Sequence, residues 1–133
     1  VNAAAMQNTA RVIDAVGADV LGIVEVENRP ALNDFNRLIL PAVGGDPYAQ
    51  VMVIDGNDSR GIDVGLLTRD GFSIGNIRSH VDDRNARGEL VFSRDCPEFE
   101  VQTPGGNQLL LMVNHLKSNG FGSQASSNAR RSE

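Results

Sequence analysis

Apolar residues recur at helical spacing at the start of the chain, where Met6, Ala10, Ile13 and Val16 share one face between Ala3 and Val16. Asn2 is placed to cap this segment and Gly17 to stop it, so an amphipathic helix is expected. The period then changes. Asp19 to Val26 reads as a buried strand, and the short link from helix to strand favours a layered α/β arrangement. Ala31 to Leu40 returns to helical spacing, with Leu32, Phe35, Leu38 and Ile39 on one face and Pro41 as the stop. After a loop from Gly44 to Pro47, Tyr48 to Ile54 is the next strand, and Asp55 to Arg60 is a polar turn expected beside a substrate. The strand from Ile62 sets Ile62, Val64 and Leu66 on one face and Asp63, Gly65 and Leu67 on the other. Asp70-Gly71 suits a hairpin turn returning into a strand over Phe72 to Ser79. Leu90 to Ser93, Glu98 to Thr103 and Gln108 to Asn114 complete the strand pattern, and Ser123 to Glu133 looks like the beginning of a helix.

The stretch Gln108 to Gly122 contains the sharpest change of character. Leu109 to Val113 is a continuous apolar run, which is the signature of a strand covered on both faces. Asn114, His115, Lys117 and Ser118 follow at once, with Gly120 and Gly122 loosening the backbone, so the strand delivers a cluster of donors to a sheet edge. The same residue types also describe a lone histidine in an ordinary surface loop. Asp63, a carboxylate among apolar neighbours, needs a partner if buried. Orienting His115, contacting a metal shell and holding a loop all suit it. His80 reads as a surface residue, because nothing else in the chain converges on it.

With 133 residues and 41% hydrophobic content the chain is one domain at most, with enough apolar material for a core. No internal repeat or low-complexity linker divides it. The single cysteine, Cys96, excludes an internal disulfide and a cysteine-based zinc cluster, and it reads as a semi-buried loop residue rather than a nucleophile. A net charge of −5 argues against nucleic-acid binding through counterion release alone. It leaves phosphodiester chemistry open where metal ions bridge the two negative partners. No run approaches the length of a membrane span, and the first residues have neither the basic flank nor the apolar block of a signal peptide. The chain begins with Val, which suggests a longer protein that has been cut or processed, so a soluble parent in the cytoplasm or outside the cell is expected.

Three segments, Asp19 to Asn28, Arg60 to Arg69 and Gln108 to Gly122, in this order and at these intervals, resemble the endonuclease/exonuclease/phosphatase superfamily, the DNase I-like fold. Phe92 to Phe99 and Asn114 to Ser118 are similar to bacterial, often extracellular, nuclease-like members. The resemblance implies an α/β (α+β) chain with the four-layer α/β/β/α sandwich. Here it implies an incomplete portion, with a mixed, largely antiparallel sheet, mainly one of the two, and helices on one side. Residues 1–133 would form a partial domain, without the family's first strand and C-terminal half.

The activity implied is metal-dependent hydrolysis of a phosphodiester, with DNA or RNA preferred over a phospholipid or sugar-phosphate diester. Glu25 matches the acidic ligand for Mg or Mn, with Glu27 and Asn28 beside it. His115 matches the histidine that donates to a phosphate oxygen or moves a proton, Asp63 would assist it, and Asn114, Lys117 and Ser118 would bind the phosphate.

The departures from the family pattern bear on activity. Only Asn2 precedes the first helix where the family has a strand bearing an Asn, and no Gly-Asp-x-Asn or Ser-Asp-His segment occurs. Asp55-Gly56-Asn57-Asp58 has similar residues but lies before the Ile62 strand. The isolated chain is therefore either an enzyme fragment or a non-catalytic module of the same fold. An uncovered apolar sheet face predicts self-association.

Overall fold

The structure is a computed structural model that describes residues 2–116 and 123–132. Local signals set the first element. The Asn2 side chain accepts the Ala5 N–H at 2.8 Å, and Gly17, at φ 60°, turns the backbone so that its N–H reaches the Ile13 carbonyl. Between these caps runs α1 (Ala3–Val16), which buries Ala10 completely. The second helical segment starts under an Asn28 cap as α2 (Arg29–Asp34), passes through a π-helical turn at Phe35–Ile39 and ends in α3 (Leu40–Ala42). Pro41 thus lies inside the last turn, not after it. The wider turn, closed by the Leu40 N–H on the Phe35 carbonyl, precedes a residue that has no N–H to donate.

The strands form two antiparallel sheets, where mainly one was expected. β1 (Val20–Val26), β2 (Gln50–Ile54) and β3 (Asp63–Thr68) pair in the order β1-β3-β2. β4 (Ser73–Arg78), β5 (Glu98–Gln102) and β6 (Gln108–Met112) pair in the order β4-β5-β6. All of these pairings are antiparallel, and only β5 and β6 are joined by a short turn, Thr103 to Asn107. The chain therefore contains two three-stranded sheets.

Strand alternation separates two cores. Val51, Val53 and Leu67 face the helices and pack with Ala10, Leu32, Leu40 and Tyr48. Leu66 faces the other way, against Phe99 and Val101 of β5, with Met52, Ile54, Ile74, Ile77 and Leu111 around them. The layers run helices, first sheet, second sheet. A buried amide ties the first two, since Asn36 donates to the Tyr48 carbonyl at 2.9 Å and accepts the Tyr48 N–H at 2.8 Å, imitating a strand pairing.

Two expectations about strands are corrected. The strand buried along its whole length is β3, at the centre of the first sheet. β6 is an edge strand, and Leu110 and Met112 on its outer face are 62% and 60% exposed. The apolar run in β6 predicts a strand covered on both faces, but among the described residues only its inner face meets a cover. Leu90 to Ser93 does not form a strand either: Leu90 makes one isolated bridge to Arg84. An α4 (Gln124–Arg131) follows under a Ser123 cap. Among the described residues, no helix is long and apolar enough to cross a membrane.

Candidate active site

The site forms where β1 ends beside the segment that leaves β6. Val24 pairs with Val64 and Val26 with Asp63, so Glu25 is looped out as a bulge between them. Its φ of 61° makes it the one non-glycine among the described residues in the left-handed region. Such a conformation costs roughly 1–3 kcal/mol and persists only where register forces it. Here it turns the carboxylate out of the strand, leaving the side chain 66% exposed.

β6 approaches because Gly22 of β1 has no side chain, and Val113 packs over it; a Cβ there would stand 3.3 Å from Val113 Cγ2. The Val113 N–H also reaches the Pro97 carbonyl at 3.3 Å, extending the β5–β6 pairing by one step. Two residues further on, His115 Nε2 lies 3.6 Å from Glu25 Oε1. The imidazole is 18% exposed, and its Nδ1 is buried with no hydrogen-bond partner among the described residues. One nitrogen therefore faces a carboxylate and the other awaits a partner.

Beside His115 opens a cleft of about 240 Å³, lined by Arg94, Asn114, Phe92, Met112 and Leu116. Charged and apolar walls together suit a ligand with an anionic end and a flat or aliphatic remainder. A larger hollow of about 380 Å³, lined by Arg29, Asn33, Arg37 and Ile77, has no acid–base pair on its walls, so the chemistry is assigned to the smaller cleft.

Of the residues singled out in the sequence, Glu25, Asn114 and His115 come together. Asp63 is buried, and its Oδ1 accepts the Gly56 N–H at 2.8 Å, which holds the Asp55 to Gly61 turn beside the site. Lys117 and Ser118 lie outside the described residues. Glu25 offers a hard, exposed carboxylate of the kind magnesium or manganese takes, in sites where waters and substrate oxygens fill the other positions. Among the described residues, no group of three or more His, Cys, Asp and Glu side chains converges as a ready-made metal cage.

Sequence reasoning missed two clusters. His80 is not a free surface residue: Nδ1 lies 2.8 Å from Asp83 Oδ2, Nε2 lies 3.0 Å from Glu98 Oε1, and its backbone N–H donates to Asp95 at 2.7 Å. The Asp83 and then the Glu98 hydrogen bonds raise the His80 pKa above the ordinary imidazole value. The i, i+3 spacing to Asp83 was a signal in the sequence, whereas Glu98 arrives only through β5. The second cluster is Asp58, Arg60 and Arg94. Asp58 Oδ2 lies 2.8 Å from Arg60 Nη2 and 3.0 Å from Arg94 Nε, and the Arg60 hydrogen bonds hold its carboxyl well below the usual range. Cys96 is fully buried, and burial followed by the Asp95 and Glu98 charges pushes its thiol up, which suits an inert packing residue.

Residues 2–133 match the profile of a family described as Endonuclease/Exonuclease/phosphatase. The fold is similar to solved structures of TDP2 from Caenorhabditis elegans. The selenomethionine form has a TM-score of 0.58 at 16% identity over 89% of this chain and 31% of that one. A truncated form of the same protein has a TM-score of 0.58 at 17% identity over 89% of this chain and 41% of that one. The chain thus spans less than half the length of the structures it matches. No curated protein sequence matches it. With the family profile running over nearly every residue, and the two sheets and helical layer arranged as in these structures, the chain belongs to the endonuclease/exonuclease/phosphatase family.

Proposed function

We propose that the chain carries one side of a metal-dependent phosphodiesterase site, acting on DNA or RNA in preference to a phospholipid or sugar-phosphate diester. One observation carries the reading: a looped-out Glu25 carboxylate meets His115 at 3.6 Å while the other ring nitrogen stays unbonded. Glu25 holds the divalent cation, Mg or Mn, which supplies positive charge to the phosphate oxygens as the bond breaks. His115 donates a hydrogen bond to a phosphate oxygen and is placed to move a proton. The Asn114 amide, with Lys117 and Ser118, adds donors to the same group, and Asp63 holds the turn beside it.

The test is Mg- and Mn-dependent cleavage of plasmid DNA and of a chromogenic phosphodiester, with Glu25→Ala and His115→Ala alongside and Mn binding followed by calorimetry. Cleavage lost in both variants, with Mn binding lost in Glu25→Ala, supports the reading. A folded protein that neither cleaves nor binds Mn overturns it in favour of a non-catalytic module. The open outer face of β6 favours self-association in that case, and a species that remains monomeric in sedimentation at high concentration excludes it.

A further inference from the structure

The Asp55 to Gly61 turn is fixed at several points. The Gly56 N–H is held by Asp63, the Asn57 amide donates to the Val81 carbonyl at 2.6 Å, and the Gly61 N–H reaches the Asp58 carbonyl at 2.9 Å. Gly56 lies so close to the Arg94 backbone that a Cβ would stand 2.7 Å from Arg94 Cα. Asp58 is therefore a fixed anchor, with its side chain 8% exposed.

Both arginines use this one carboxylate, in different ways. Arg60 donates Nε–H to Oδ1 at 3.0 Å and Nη2–H to Oδ2 at 2.8 Å, yet its side chain is 64% exposed. One edge of the guanidinium is fixed and the rest faces solvent. Arg94 is 11% exposed, and its buried Nε makes the ion-pair contact with Asp58 without hydrogen-bond geometry. It lines the cleft with Asn114 and His115. The Asp58 hydrogen bond, and last of all the Glu25 charge, favour the protonated form of Arg60. The contacts run from Glu25 to His115, across the cleft to Arg94, and through Asp58 to Arg60.

One carboxylate shared by two guanidinium groups leaves a positive charge over, in a chain whose net charge is −5. An interior salt bridge has no need of the second arginine, and an exposed pair contributes little to stability. We propose that Arg60 and Arg94, held by Asp58, form an anion-binding arm that receives oxygens of the phosphate backbone beside the Glu25–His115 pair. The inference rests on the phosphodiesterase reading and adds the residues that position the substrate. Planar forks of this kind match phosphate oxygens two at a time.

The test is binding of a fluorescein-labelled single-stranded DNA oligonucleotide to the full chain in EDTA, followed by anisotropy at several salt concentrations. Arg60→Gln is expected to weaken binding about tenfold and to lower the salt dependence by about one phosphate contact, with thermal unfolding unchanged. Arg60→Lys is expected to recover part of the loss. Arg94→Gln is expected to weaken binding similarly, and urea unfolding establishes that the variant is folded. Unaltered binding in folded Arg60→Gln and Arg94→Gln overturns the proposal, as does a wild-type chain that does not bind the oligonucleotide at low salt. The two readings fail separately. Weakened binding in Arg60→Gln without any cleavage by the wild type leaves the arm standing and removes the activity. Cleavage that needs Glu25 and His115, with binding and KM unmoved in both arginine variants, removes the arm alone.

Discussion

His80 and His115 border adjoining clefts that share Val91, Phe92, Cys96 and Met112 as lining, yet their surroundings differ in kind. His80 has a carboxylate within 3.0 Å of each ring nitrogen and a third carboxylate on its backbone N–H. Among the described residues, His115 has a carboxylate at 3.6 Å and a buried nitrogen with no partner. A structural imidazole is satisfied on every side, because an unpaired buried donor costs about 1–3 kcal/mol. An imidazole that must accept a ligand keeps a position open and bears that cost until the ligand arrives.

The comparison breaks most sharply under substitution at position 115. His115→Ala is expected to lower cation-dependent hydrolysis about 10²–10⁴-fold while the urea midpoint stays where it was. Glu25→Ala should lose as much activity, again without loss of stability. His80→Ala should do the reverse, with destabilisation of about 1–3 kcal/mol by urea unfolding and little change in kcat or KM. A large fall in activity with unchanged stability in His80→Ala would erase the distinction.

A smaller effect concerns pH. Because Asp83 and Glu98 raise the His80 pKa in the folded state, the folded protein keeps a proton that the unfolded chain gives up first. The stabilisation is complete below the unfolded imidazole value of about 6.5 and is lost as pH rises through the higher folded value. Urea midpoints in buffers from acidic to mildly alkaline pH should fall across that window in wild type and in His115→Gln, and stay flatter in His80→Gln. The smallest change is expected from Glu98→Gln, which keeps a hydrogen-bonding oxygen but loses its charge and should cost no more than about 1 kcal/mol.

What was legible in the sequence was what neighbours in sequence decide. Asn2 and Gly17 bound α1 because a cap acts within one turn, and the separation of Leu66 from Leu67 follows from alternation alone. Glu25 and His115 were named because the segments that carry them resemble those of the family. The pairing of sheets could not be read, since the apolar run in β6 describes a covered strand while the covering depends on other elements. The left-handed backbone at Glu25 was equally hidden, because the register against β3 imposes it. Asp58 meets Arg94, and His80 meets Glu98, only after separate loops have been packed together.

The backbone at Glu25 also sets what random variation at that codon would return. If every amino acid were placed at position 25 and the library sorted first by heat resistance, glycine and then asparagine should rise, since they adopt a φ of 61° with least strain. Glycine would gain about 1 kcal/mol or more over the parent. Sorted by cleavage, the same library should discard both and keep the acid. Winners of the two screens would not overlap, and a selection that rewarded robustness alone would drift away from the parent residue at this strained position.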